Sequence, residues 1–154
     1  MFIAKNGYNY SFVYFESLSA MRNQITLVAK VIGIFVTSFS FTYLIPVIIS
    51  FIYNDGQAKY FLITFLITFL LGISLWGPCY KTNGKLKTRD GFLIVSLFWT
   101  SLSCISSLPL IISPAVELPI IHAFFEATSG FTTTGATVLT NIQDLPKSIL
   151  WYRV

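Results

Sequence analysis

Charged residues fall in a few short clusters along this chain. Between them lie three runs of 21 to 26 residues with no Asp, Glu, Lys or Arg: Val31 to Tyr53, Tyr60 to Tyr80 and Gly91 to Val116. At about 1.5 Å of rise per residue, each run makes a helix of roughly 30 Å or more, enough to cross a bilayer's hydrocarbon core. Pro46 lies near the far end of the first run, and Gly77 and Pro78 close the second. Pro109 and Pro114 are expected to end the third helix between Leu108 and Ile112.

The pattern then changes. In SPAVELPIIHAFFEAT, Pro119 suits a helix's first position, and Ile121, Phe124, Phe125 and Thr128 share one face at helical spacing. The helix predicted over 119–129 is about ten residues long, roughly 15 Å, which is half a membrane. Gly130 and the threonines after it are expected to break it, because eight of the ten residues from Thr128 to Thr137 are Ser, Thr or Gly. A chain that enters halfway and returns as irregular backbone finds no water in lipid. Its peptide groups must be buried in protein or line a wet cavity.

Composition fixes the class. Hydrophobic residues make up 55% of the chain and charged residues 10%, against roughly a quarter charged in soluble domains. Buried core helices of a large soluble protein are the competing reading, and this chain lacks the charge to clothe a water-facing surface. Cys79 and Cys104 lie in or beside apolar runs, 25 residues apart. They offer neither metal-ligand spacing nor a disulfide framework and read as packing residues. The expected fold is an all-α integral membrane protein: three transmembrane helices, then a re-entrant pore helix, a filter loop and the start of a further helix.

Basic residues set the orientation. KTNGKLKTRD, residues 81–90, carries Lys81, Lys85, Lys87 and Arg89, whereas NDGQAK at 54–59 has Lys59 offset by Asp55. The positive-inside rule puts the 81–90 loop in the cytoplasm, together with an N-terminus that carries Lys5, Arg22 and Lys30. Such a loop can also bind anionic lipid or nucleic acid; topology is the commoner reason, and no nucleic-acid partner is expected. Residues 1–20 lack the continuous apolar core of a signal peptide and read as an upstream extension before a more natural start at Met21. Residues 21–80 then form a two-helix membrane segment.

The Ser/Thr/Gly stretch has the chemistry of a cation filter. Neutral carbonyl oxygens can replace the hydration shell of potassium without trapping the ion. Gly135 can adopt φ > 0, hydroxyls of Thr132, Thr133 and Thr134 can satisfy remaining polar groups, and a short helix ending there aims its partly negative end at a cation. No acidic residue lies within 128–137, which argues against a divalent-ion site. A plain polar surface loop has the same composition, and spacing alone leaves the two readings level.

The segment AFFEATSGFTTTGATVL, followed by LPKSILWYR, closely resembles the first pore loop of the Trk/Ktr/HKT potassium transporter superfamily, nearest its bacterial TrkH and TrkG type. GKLKTRDGFLIVSLFW upstream resembles that family's lead into its first pore repeat. The resemblance runs from about Met21 to Arg153. It implies an incomplete first pore repeat over 91–154, with a helix at 91–112, a pore helix at 119–129, a filter at 130–137 and the start of a second helix at 146–154. It implies filter carbonyls from Thr132, Thr133, Thr134 and Gly135, with potassium ion, the transported species, at Thr133 and Thr134. Glu126, Gly130 and Thr137 are expected to support the filter. Glycine at position 135 implies selection of potassium over sodium.

Family members carry four such repeats around one pathway, so the remaining repeats, or a second subunit in a homodimer, are expected partners besides membrane lipid. A TrkA-type nucleotide-binding ring is the expected cytosolic partner, and the bacterial cytoplasmic (inner) membrane the expected location. A chain stopping at Val154 is expected to be a truncated portion, inactive by itself; a non-transporting remnant is the alternative. His122, Glu126 and Ser129 also suggest an intramembrane hydrolase. Residues four apart on one helix lie side by side, however, which gives no nucleophile–base–orienter line.

Overall fold

The computed structural model describes residues 10–153 apart from 83, 85, 117 and 141, and for residues 10–20 the backbone alone. Lys5, Lys85 and Val154, named above, lie outside the described residues, as do the first nine residues of the expected extension. Among the described residues all regular structure is helical: α1 (Tyr10–Ser40), α2 (Leu44–Tyr53), α3 (Ala58–Trp76), α4 (Thr88–Ile112), α5 (Ile120–Phe131) and α6 (Lys147–Arg153), with short 3₁₀ turns between some of them. Three helical stretches, Met21–Tyr53, Ala58–Cys79 and Thr88–Ile112, are long and apolar enough to cross a bilayer. Their outer faces carry large apolar side chains such as Phe51, Leu70 and Phe92, each more than 60% exposed. That arrangement suits lipid and not water. The chain is an all-α integral membrane protein.

Hydrogen bonds between distant residues fix which helix ends lie together. Lys30 of α1 donates to the carbonyls of Tyr80 and Thr82, at 2.9 and 3.1 Å, so α1 meets the loop after α3. At the opposite end, Ser113 just past α4 donates to the Gln57 side chain at 2.7 Å. The backbone N–H of Ser148, at the start of α6, donates to Asp55 at 2.9 Å. The loops at 54–57 and 80–87 thus sit at opposite ends of the bundle.

Proline shapes two of the spans. Pro46 offers no N–H to Thr42 four residues earlier, and the helix tightens into a 3₁₀ turn at Phe41–Tyr43 between α1 and α2. Pro109 sits inside α4, which nevertheless continues to Ile112. The carbonyl that Pro109 leaves without its helical partner is that of Ile105, and the Tyr43 hydroxyl donates to it at 2.9 Å. A neighbouring helix thus repairs the gap, the condition under which a bilayer tolerates proline. Tyr152 of α6 likewise donates to the Ser106 carbonyl at 2.7 Å.

Two apolar clusters hold the helices together. Tyr43, Phe61, Leu110, Ala123 and Ile149 join α3, α4, α5 and α6 to the turn before α2. Ile32, Val36, Leu102 and Ile105 join α1 to α4, with Phe131 at the end of α5 packed beside them. Helices α1 and α3 approach so closely at Gly33 and Gly72 that a Cβ on Gly72 would lie 2.3 Å from the Thr37 hydroxyl and 2.7 Å from the Thr37 backbone nitrogen. Small residues allow this where two spans must touch without a water-driven force. Neither cysteine packs inside the chain as the sequence suggested. Cys104 is exposed, because α4 turns that face away from its neighbours, and Cys79, in the turn after α3, is half-buried.

Asp55 ties the 54–57 loop to α6. It accepts from the Ser148 N–H, from the Ser50 hydroxyl and from the Gln57 N–H at 3.1 Å. Burial pushes its carboxyl up, but the hydrogen bonds from Ser148, Ser50 and Gln57 together outweigh burial and hold it below its ordinary 3.8. A depressed folded-state value gives stability that is present above the unfolded value and lost as pH falls through the folded one. In thermal unfolding in detergent, wild type exceeds Asp55→Asn at neutral pH, and the gap narrows below about pH 4. A gap independent of pH would contradict this reading.

Candidate functional site

Helix α5 enters from the end where α4 stops and spans 12 residues, roughly 18 Å, so it ends near mid-membrane. There Phe131 packs on Phe39 of α1, ring centroids 5.5 Å apart. Its large apolar residues Ile121, Phe124 and Phe125 are exposed, while Ala123, Glu126, Ala127 and Ser129 are buried. The helix therefore turns a small and polar face inward, the reverse of a water-soluble amphipathic helix.

The helix does not stop at Gly130. It runs one residue further, to Phe131, and closes by a Schellman motif: the Thr134 N–H donates to Ser129 at 3.0 Å and the Thr133 N–H to Gly130 at 3.1 Å. The left-handed residue this motif requires is Thr133, at φ 53°. Gly135 follows at φ 73°. Left-handed geometry costs glycine nothing but a β-branched threonine about 1–3 kcal/mol, so strain is stored at Thr133 and must be held from elsewhere.

The cap hydrogen bonds hold Thr133 itself, and Glu126 fastens the chain beyond it. Its carboxylate, 4% exposed, accepts from the Thr137 hydroxyl at 3.0 Å and from the Val138 N–H at 3.0 Å, and pairs with the Arg153 guanidinium of α6. Thr137 in turn accepts from the Leu139 N–H at 3.0 Å, and Ser129 donates to the Ala136 carbonyl at 2.7 Å. The returning strand is thereby fastened to α5 at Ala136, Thr137 and Val138. Residues Thr132 to Thr137 themselves are exposed. Thr132 and Thr134 share a hydroxyl contact at 2.8 Å, and Thr133 donates to the Thr132 carbonyl at 2.7 Å. Among the described residues none donates to the carbonyls of Thr133, Thr134 or Gly135. The loop is braced on one side and open on the other, with a cavity of about 360 Å³ between the brace and residues Thr133, Gly135 and Ala136.

The structure brings Thr132 to Gly135 together with Glu126 and Thr137. Gly130 lies in the last turn of α5, and its carbonyl closes the helix cap. The residues of the hydrolase reading are engaged elsewhere: Ser129 bonds Ala136, Glu126 bonds Thr137, Val138 and Arg153, and His122 is exposed. Sequence reasoning missed Arg153 and the strain at Thr133. A buried carboxylate in an apolar helix was the signal for the first, since such a group is paired with a cation. Threonine gave no signal for the second.

Residues 57–154, more than half of the chain, match the family model described as TrkH, cation transport protein. The chain belongs to this family. Over 126 residues it is 46% identical to the Trk system potassium uptake protein TrkH of Escherichia coli (strain K12), covering 82% of this chain and 26% of that protein. It is 38% identical over 131 residues to TrkG of the same organism, covering 85% and 27%. The crystal structure of the potassium transporter TrkH from Vibrio parahaemolyticus superposes with a TM-score of 0.81 at 41% identity, over 84% of this chain and 28% of that one. The chain spans about a quarter of the length of these TrkH relatives, which are bacterial transport proteins.

Removing one partner of a buried ion pair leaves an unpaired charge and costs about 3–5 kcal/mol. Glu126→Ala and Arg153→Ala are each expected to destabilise the protein on that scale, and the double variant by clearly less than their sum. A double-mutant cycle of denaturant unfolding in micelles reads this out. Additive losses would show that the two side chains do not act as a pair.

Proposed function

We propose that this chain contributes a potassium-selective filter segment to a Trk-type uptake pathway in the bacterial cytoplasmic membrane. The observation that carries the reading is the run of unengaged carbonyls at Thr133, Thr134 and Gly135 on a loop whose other side is fastened to Glu126. Potassium gives up hydration water only where oxygens replace it, and preorganised neutral carbonyls do so at low cost. Thr133 and Thr134 are the proposed contacts. Gly135 keeps the turn that presents their carbonyls, and Glu126, Gly130 and Thr137 support it. The names of the relatives, potassium uptake proteins and a potassium transporter, agree with this ion.

A single segment walls only one side of a pathway, so the proposal requires further filter segments around the same axis, from repeats or from other subunits. The basic residues at 81–90 support a cytoplasmic position for that loop and for the N-terminus. A cytosolic nucleotide-binding ring would dock on that face. Selectivity is the test. In a transporter carrying this loop, Gly135→Ser introduces a side chain at φ 73° and is expected to lower the potassium-to-sodium permeability ratio severalfold. An unchanged ratio would contradict the role given to Gly135.

A further inference from the structure

Helices α1 and α4 meet at Ile32, Leu102 and Ile105 and diverge toward the basic end of the bundle. The divergence leaves an apolar groove of about 360 Å³. Its main walls are two helical stripes, Ile25, Val28 and Ile32 on α1 and Leu93 and Leu97 on α4, spaced three to four residues apart, and Leu75 of α3 also lines it. Arg89 and Asp90 stand at its mouth and Ser101 toward its closed end. From Arg89 to Ser101 the helix rises roughly 18 Å, close to the half-thickness of a hydrocarbon core of about 30 Å. The groove is therefore one leaflet deep.

The charge at the mouth is one-sided. Asp90 is 2% exposed and accepts the Lys87 N–H at 3.0 Å, so its carboxylate is spent on capping α4. Arg89 is exposed, and among the described residues no carboxylate pairs with it. An occupant must combine an apolar tail about one leaflet long with an anionic head.

We propose that this groove binds one acyl chain of an anionic phospholipid from the surrounding bilayer, with the headgroup against Arg89. The groove opens at the end that carries the basic 81–90 loop, so the lipid belongs to the leaflet on that side. Its position between the first span and α4 lets lipid brace the membrane segment that leads into the filter helix.

Native mass spectrometry of the full chain, released from mixed phosphatidylglycerol and phosphatidylcholine, tests this. One basic residue near a phosphate is expected to favour the anionic lipid roughly fivefold. Arg89→Gln is expected to abolish that preference while lipid is still retained, and Lys81→Gln to leave it intact. Leu97→Trp fills the groove and is expected to remove retention of both lipids; Leu93→Phe carries the same expectation should the first fail to fold by circular dichroism. Equal retention of the two lipids by wild type, or a preference that survives Arg89→Gln, would overturn the proposal. So would full retention in the groove-filling variants.

Discussion

A peptide group in hydrocarbon has no water to fall back on, and each one left without a partner costs several kcal/mol. Much of this structure answers that constraint. Pro109 strands the carbonyl of Ile105, and Tyr43 reaches across from the neighbouring span to take it. Helix α5 stops at mid-membrane, and its last carbonyls are closed by the cap at Thr133 and Thr134. The chain that returns is irregular; Glu126 takes its Val138 N–H and Ser129 its Ala136 carbonyl. Among the described residues the carbonyls of Thr133 to Gly135 also find no donor, and they lie together on the exposed side of the loop.

The brace also explains why α6 belongs to the site. Glu126 alone would be a buried charge, and Arg153 neutralises it from a helix whose start is tied to Asp55 at the far end of the bundle. Position therefore passes from the 54–57 loop through α6 and Arg153 to the carboxylate, and from there to Thr137 and Val138. The left-handed Thr133 is held by the cap bonds to Ser129 and Gly130, and not by its own preference.

Much of the fold was legible because bilayer thickness leaves few solutions. Charge-free runs of 21 to 26 residues and one short helix dictate spans and a re-entrant segment. The loop was legible in composition, since Ser, Thr and Gly dominate residues 128–137, but Gly33, Gly72, Thr64 and Thr68 sit inside helices, so composition marked the candidate site only because these residues are concentrated there. Long-range pairings were not legible. Nothing local couples Glu126 to a residue 27 positions later, and no propensity rule puts a β-branched residue at the cap that ends α5. Gly130 looked like the helix breaker because glycine breaks helices in general. Here the cap forms three residues beyond it, at Thr133, where Thr134 and Thr133 find the Ser129 and Gly130 carbonyls. Cys104 looked like packing because apolar runs read the same on their inner and outer faces.

The central claim is that the carbonyls left open by this bracing take potassium. Solid-state NMR of ¹³C-carbonyl labels at Thr133, Thr134 and Gly135, in membranes holding an assembled transporter with this loop, measures it directly. Titration with potassium is predicted to shift the Thr133 and Thr134 carbonyls in a saturable way, with sodium at the same concentration giving a much smaller change. Carbonyl resonances that ignore potassium, or follow both ions equally, would contradict the account.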